Sequence, residues 1–257
     1  MKALVTGGAR RIGRAIALYL AGRGFDVAVH YASSATEAEA TVADIRALGR
    51  KAVALRADLL DEVQLAGLIP AAVQGLGGPL TLLVNNASIF DYDTITTATR
   101  ATWDRHMGSN LRAPFVLTQA FAAQAPKAVL QDGEPVAQGL IVNMIDQRVL
   151  KPTPEFMTYS LAKAGLFALT RTAAQALAPD VRVNGIGPGP TVQGTRQSAS
   201  HFARQRAATI LQRGADPSDV CAAIGFFLDS PAVTGQMIAV DGGQHLAWAT
   251  PDVLGIE

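Results

Sequence analysis

A chain of 257 residues with 49% apolar and 17% charged residues suits one large α/β domain and excludes a disordered chain. Its 22 Lys and Arg against 21 Asp and Glu leave a net charge of +1, which argues against nucleic acid or an anionic membrane as principal partner. The single cysteine, Cys221, excludes an internal disulfide and a multi-cysteine metal site, so no metal is expected; among Val220, Ala222, Ala223 and Ile224 it reads as a small buried hydrophobe.

Met1-Lys2-Ala3-Leu4-Val5 runs straight into a glycine turn, which leaves no room for a signal peptide. No apolar run reaches the ~18 residues of a membrane span, so the expectation is a cytoplasmic protein. Lys2 to Thr6 reads as a strand, followed by Thr6-Gly7-Gly8-Ala9-Arg10-Arg11-Ile12-Gly13 and a helical run ending at Gly22 or Gly24. Strand, glycine turn and helix are the context in which main-chain N–H groups and a helix N-terminus hold a pyrophosphate. Val27 to Tyr31 is the second strand, Glu37 to Leu48 a helix, and Ala52 to Ala57 the third strand, ending at Asp58.

A helix from about Asp61 to Gln74 leads to a fourth strand, Leu80 to Val84, closed by Asn85-Asn86-Ala87-Ser88-Ile89-Phe90. One long helical region is expected from about Ala98 to Ala125, with Asn110 near its middle. Pro126 to Gly139, containing Asp132-Gly133-Glu134-Pro135, reads as a surface excursion. The fifth strand is Leu140-Ile141-Val142, the next helix runs from about Phe156 to Leu177, and the sixth strand is Val181 to Ile186. Gly187-Pro188-Gly189-Pro190 is expected to break regular structure. Thr191 to Gly214, with Arg196, Arg204, Arg206 and Arg213, reads either as a lid over a pocket or as a solvated helix. Asp216 to Leu228 is a helix with Asp216 at its N-cap and Pro217 at its first position, and Met237 to Val240 is the last strand. About seven strands alternating with helices predict a doubly wound parallel sheet of Rossmann type in a single domain, residues 1–257.

The chemistry concentrates after the fifth strand. Tyr159 and Lys163 are four residues apart on a helix and share a face, with Asp146 thirteen residues before the tyrosine. An ammonium beside a phenol stabilises the phenolate and lowers its pKa from about 10 towards the working range. Taken alone, the pair is also what a packing tyrosine and a solvated lysine look like. His106, His201 and His245 show no ligand spacing and read as surface residues.

Taken together, the Thr6–Gly13 turn, Asp58, Asn85-Asn86-Ala87, Asn110, Tyr159/Lys163, Pro188-Gly189 and Asp241-Gly242-Gly243 resemble the short-chain dehydrogenase/reductase superfamily over about residues 2 to 246. Of that family's tetrad of Asn, Ser, Tyr and Lys, the residues Asn110, Tyr159 and Lys163 match, and Asp146 stands at the serine position. Arg11 replaces a glycine, and Asn85-Asn86-Ala87-Ser88-Ile89-Phe90 carries Ser88 where glycine is usual. These departures resemble the pteridine reductases, as do Gly108-Ser109-Asn110 and Val183 to Gly189.

The resemblance implies a nicotinamide cofactor held by Arg11, Ile12, Tyr31, Ser33, Ser34, Asp58, Leu59, Asn86, Ala87, Ser88, Tyr159, Lys163, Pro188, Gly189 and Thr191. It implies a substrate against Arg11, Ser88, Phe90, Asp146 and Tyr159, under a loop of about residues 190–214. Asn110 would hold a water linking Lys163 to solvent, and the assembly would be a homotetramer.

Physical chemistry separates the substrate classes. A serine hydroxyl donates to a carbonyl that becomes an alkoxide, whereas an ionised carboxylate donates nothing and repels that charge. Asp146 suits a ring with N–H donors to bind or a nitrogen to protonate, as reduced pterins have, unless its pKa is raised far enough to make it a donor. Phe90 would be a stacking wall for a flat ring. An NAD enzyme places an acid at the end of the second strand, roughly 20 residues past the glycines. Here His30-Tyr31-Ala32-Ser33-Ser34 has none before Glu37, and Arg10 supplies a cation, so NADPH is expected. The leading expectation is an NADPH-dependent reductase transferring hydride to a C=N bond of a pterin or dihydropterin, with dihydrofolate included. The alternatives are a carbonyl reductase with an altered tetrad and a non-catalytic nucleotide sensor, which would need none of Tyr159, Lys163 and Asn110.

Overall fold

In the computed structural model the described residues are 1–194 and 197–250, so Arg196 and residues 251–257 lie outside them. In chain order the elements are β1 (Lys2–Val5), α1 (Arg11–Gly22), β2 (Asp26–Tyr31), α2 (Ala35–Ala47), β3 (Ala52–Arg56), α3 (Glu62–Leu76) and β4 (Leu82–Asn85). Then come α4 (Arg100–Met107), α5 (Ala113–Gln124), β5 (Val129–Gln131), β6 (Glu134–Val136), β7 (Gly139–Met144) and α6 (Met157–Leu177). The chain continues with β8 (Val181–Pro188), α7 (Ala199–Ala207), α8 (Pro217–Asp229) and β9 (Met237–Val240).

The continuous apolar runs form a seven-stranded parallel sheet in the order β3-β2-β1-β4-β7-β8-β9. Strands covered on both faces carry no polar stripe, which is why they read as unbroken apolar runs. The pleat divides them between two cores: Ala3 and Val5 face Ile16, Leu20 and Phe227, while Leu4 faces Leu65, Leu83 and Phe121. Strand order reverses between β1 and β4, and the crevice at their carboxyl ends is where an open α/β sheet binds ligands.

Two expectations need correction, at 98–125 and at Gly187-Pro188, and two regions read only coarsely, 126–139 and 191–214, gain definition. The region 98–125 is two helices, α4 and α5, joined by a π-helical turn, Gly108–Arg112, that carries Asn110 into the interior. The sixth strand does not stop before Gly187: β8 continues to Pro188, because Gly187 and Pro188 still pair with Ala239 and Val240 of β9. Proline costs no ladder bond there, because pairing with β7 has ended at Ile186 and the N–H that reaches Val240 is that of Gly189. The excursion 126–139 contains the hairpin β5–β6, turned by Asp132 (φ 51°) and Gly133 (φ 86°). Two positive-φ residues fit the twist of a two-residue hairpin, and Asp-Gly is its sequence signal. The region 191–214 includes α7, and Arg206 anchors its base by bonds to the carbonyls of Pro190 and Ala215 and to Asp216.

The helix expected at Asp216 forms as α8, with Pro217 first and a capping box between Asp216 and Asp219. Cys221 is buried on it, and burial pushes its thiol up to about 11. No helix among the described residues is long and apolar enough to cross a membrane.

Candidate active site

The crevice at the strand reversal is a groove of about 420 Å³. Its floor is the glycine turn, which closes on the end of β4: a Cβ on Gly13 would lie 2.1 Å from the Gly7 oxygen and 2.6 Å from Asn86 Nδ2. Asn86 holds that contact by donating to the Thr6 carbonyl at 2.8 Å. Buried His30 fixes the other wall, accepting the Gly7 N–H on Nδ1 and donating from Nε2 to the Ala57 carbonyl, each at 3.0 Å. That geometry defines a neutral imidazole, and burial lowers its pKa accordingly.

Helix α1 begins in this turn with no side-chain cap and no acid in its first turn. Its first N–H groups and positive dipole end are therefore available to an anion. Of the residues expected to hold the cofactor, Arg11, Ile12, Tyr31, Ser33, Ser34, Asp58, Leu59, Asn86, Ala87 and Ser88 line the groove. The cations Arg10 and Arg11 also line it, and Asp58 is the one acid among the described lining residues. One Asp58 oxygen already accepts the Leu60 N–H at 2.9 Å. Glu37, in the first turn of α2, is paired with Arg10 at 3.6 Å. The groove thus has the cradle and the charge balance of a phosphorylated dinucleotide site.

Pro188, Gly189 and Thr191 do not line the groove; they carry the chain from the end of β8 to its rim. The Gly189 N–H bonds Val240, and the Thr191 hydroxyl donates back to the Gly189 carbonyl at 3.1 Å. Arg11, at φ 54°, donates to the carbonyls of Val192 and Gln193 at 3.1 and 2.8 Å. In this structure its guanidinium ties the segment after β8 to the glycine turn.

At the end of β7 the three residues singled out from the sequence meet. Tyr159 Oη donates to Asp146 Oδ2 at 2.8 Å, and the Arg148 N–H donates to Asp146 Oδ1 at 2.8 Å. Both carboxylate oxygens therefore accept. Lys163 Nζ donates to the Met144 carbonyl at 2.7 Å and lies 5.7 Å from the centre of the Tyr159 ring. Gly187 makes room beneath them, since a Cβ there would lie 3.3 Å from the Asp146 carbonyl carbon.

Here the expected tyrosine pKa is corrected in direction. Burial first, and then the charge and hydrogen bond of Asp146, hold the Tyr159 phenol well above its ordinary range; Arg148 and the Ser88 hydroxyl oppose them. Lys163 is directed at the Met144 carbonyl, and its ammonium does not offset the nearer carboxylate. Burial lowers Lys163 to about 8 against the pull of Asp146. Burial raises Asp146, opposed by the Arg148 N–H and Tyr159. The tyrosine is thus a protonated phenol in this structure.

Phe90 stands beside this group, 4.6 Å edge-on from Tyr159, and also stacks in parallel on Phe156 at 4.1 Å. Arg148 lies over Phe156 at 5.0 Å. Asn110 is fully buried and exchanges two bonds with the Ile89 backbone, at 2.9 and 2.8 Å, so it fixes the loop that bears Ser88 and Phe90.

His106 is not a surface residue. It is completely buried on α4 and bonds Thr158 and the Asp91 N–H. Its partners come from a loop and a helix far along the chain, so no spacing in the sequence shows the site. His201 is exposed, and His245 is partly buried against Asp241 at 2.7 Å. Among the described residues no group of His, Cys, Asp or Glu could hold a metal ion.

A family model described as Enoyl-(Acyl carrier protein) reductase matches residues 7–245. The chain is 45% identical to the crystal structure of FolM alternative dihydrofolate reductase 1 from Brucella suis in complex with NADP, with a TM-score of 0.90 over 98% of each chain. It is 33% identical over 249 residues to a 3-oxoacyl-[acyl-carrier-protein] reductase of Staphylococcus aureus, covering 95% of this chain and 98% of that protein. A blue fluorescent protein from a metagenomic library, solved with NADPH, is 32% identical with a TM-score of 0.86, covering 95% of this chain and 97% of that one.

Proposed function

The chain belongs to the short-chain dehydrogenase/reductase superfamily as an NADP(H)-dependent reductase, and within that family we propose that it reduces a C=N bond of a pterin or dihydropterin, dihydrofolate included. The observation that carries this reading is the bond from Tyr159 Oη to Asp146 Oδ2, at the position where the family's tetrad has a serine. A side chain that only accepts complements the N–H edge of a pterin ring and gives a ketone oxygen no donor. The identity to the Brucella dihydrofolate reductase supports the same substrate class.

When bound, the nicotinamide supplies the hydride. The chain's own residues supply the rest. Tyr159 holds a proton on Oη, kept there by burial and by Asp146, until a ring nitrogen takes it. The free lone pairs of Asp146 accept ring N–H groups and orient Tyr159. Lys163 restores the proton, and the remaining lone pair of Asn110 Oδ1 takes the water that links Lys163 to solvent. Phe90, 42% exposed, would form one wall against a flat ring, and Ser88 and Arg11 complete the substrate contacts. The loop of about residues 190–214 and the cytoplasmic location read from the sequence, and the homotetramer implied by the resemblance, belong to the same proposal.

A carbonyl reductase is the second reading, favoured by the identity to the staphylococcal oxoacyl reductase. The two readings part at Asp146→Ser. With a pterin substrate the change removes the ring's acceptor and should lower kcat/KM by about 10²–10³-fold, the size of one lost oxyanion-type contact. With a ketone substrate it restores the usual donor and should leave turnover unharmed or raise it. Wild type and Asp146→Ser are assayed side by side with a dihydropterin and an activated ketone. Loss of ketone turnover in the mutant, with dihydropterin turnover near zero in both proteins, would overturn the pterin assignment.

A further inference from the structure

Helix α6 carries Tyr159 in its first turn but supplies no cap of its own: Phe156, at the N-cap, has φ 54° and no side-chain bond to the helix. Asp93, 65 residues from Thr158, does that work. Its Oδ1 accepts the Thr158 N–H at 3.1 Å, its Oδ2 accepts the Thr158 hydroxyl, and its main-chain oxygen accepts the Met157 N–H at 3.3 Å. His106 Nδ1 lies 2.6 Å from the same hydroxyl, and the Asp91 N–H donates to His106 Nε2 at 3.1 Å. Asp93, Thr158 and His106 are 1%, 2% and 0% exposed, so water does not substitute for any partner.

The proton order in this chain is forced. A main-chain N–H can only donate, so Nε2 accepts and Nδ1 carries the proton. Nδ1–H then faces the Thr158 hydroxyl, with the Thr102 carbonyl as a second acceptor for the ring, and the hydroxyl's own hydrogen goes to Asp93. The chain needs a neutral imidazole at one end and an ionised carboxylate at the other. Burial lowers the His106 pKa; burial alone would raise Asp93, but the Thr158 bonds, with help from the Thr102 side chain and His106, keep it low. The charged groups facing His106 are Asp91 and Asp93 from the loop after β4 and Arg105 from α4. From α6 it meets the edge of the un-ionised Tyr159 ring at 6.0 Å.

We infer that Asp93, Thr158 and His106 are positioning residues: they latch the loop carrying Ser88 and Phe90 to the helix carrying Tyr159, setting the stacking wall against the proton donor. This rests on the reading of Tyr159 as that donor. Protonating His106 would turn Nε2–H towards the Asp91 N–H, two donors face to face, and release the loop. The latch is closed while His106 is neutral and opens as pH falls through a value below the ordinary histidine range.

The test uses Thr158→Val, which keeps shape without the hydroxyl, against Thr158→Ser, which keeps the hydroxyl. The valine protein should show KM for a dihydropterin raised at least about tenfold, the effect of leaving buried partners unpaired, with KM for NADPH nearly unchanged. Thr158→Ser should stay near wild type. His106→Gln offers an N–H to Thr158 and an oxygen to Asp91 but does not titrate, so the acid limb of kcat/KM should disappear. Amide hydrogen exchange over residues 88–93 needs no substrate and should quicken in the valine protein alone. Equal exchange in the valine and serine proteins, or an acid limb that survives His106→Gln, would overturn the latch. If wild type turns over only the ketone, the pterin reading falls and the same ratios are measured on that ketone.

Discussion

In the groove proposed for the nucleotide the polar groups offered to a ligand belong mainly to the main chain; in the group after β7 proposed to react they belong to buried side chains. Gly7, Gly13 and the start of α1 form the first by close approach of backbone, with His30 and Asn86 as braces. Asp146, Tyr159 and Lys163 form the second, each with a pKa displaced by burial. A main-chain site tolerates many side chains but no added Cβ where backbones touch. A side-chain site tolerates shape changes nearby but not the loss of one polar atom.

The largest effect should come from the reacting end. Tyr159→Phe deletes one hydroxyl and should lower kcat by about 10²–10⁴-fold, the usual worth of general acid catalysis, with the melting temperature little changed. A much smaller loss with a good substrate would place the proton donor in water and weaken the contrast.

The next effect is a pH limb. Lys163 is charged below about 8 and neutral above it, so kcat should fall as pH rises through that value, approaching tenfold per unit. The same shift does not unfold the protein: the unfolded chain holds this proton more tightly, and stability rises with pH between about 8 and the ordinary lysine value of 10.5. Circular dichroism alongside the rate profile separates the two; activity unchanged up to pH 10 would remove Lys163 from the proton path.

At the nucleotide end, Gly13→Ala puts a methyl 2.1 Å from the Gly7 oxygen, and the turn must shift. Overpacking of this kind typically costs about 1–3 kcal/mol, to be read by chemical denaturation, with NADPH affinity falling alongside. Unaltered stability and affinity would mean that the turn is more yielding than the backbone contact implies. The smallest effect is cofactor choice. With Arg10 and Arg11 on the groove and Glu37 paired to Arg10, NADPH should exceed NADH by at least about tenfold in kcat/KM, or ~1.4 kcal/mol. Equal use of NADH would refute it.

The sequence by itself determined the parallel sheet, the order of its strands in the chain, the glycine turn and the shared helix face of Tyr159 and Lys163. Strand runs, glycine positions and a four-residue helical spacing are local signals, and the order of short motifs fixes which strand end each occupies. Even the hairpin β5–β6 was legible in Asp132-Gly133, whose turn chemistry is local too. The tertiary structure alone decided the rest. It buried His106 and joined it through Thr158 to Asp93, tied Arg11 to the carbonyls of Val192 and Gln193, and carried β8 on through Pro188. It also reversed the expected shift of Tyr159, because a phenol's pKa depends on how deeply it is buried and which charge lies nearest. Such pairings join residues tens of positions apart, and they exist only once the folded core has removed the water that would otherwise satisfy each group.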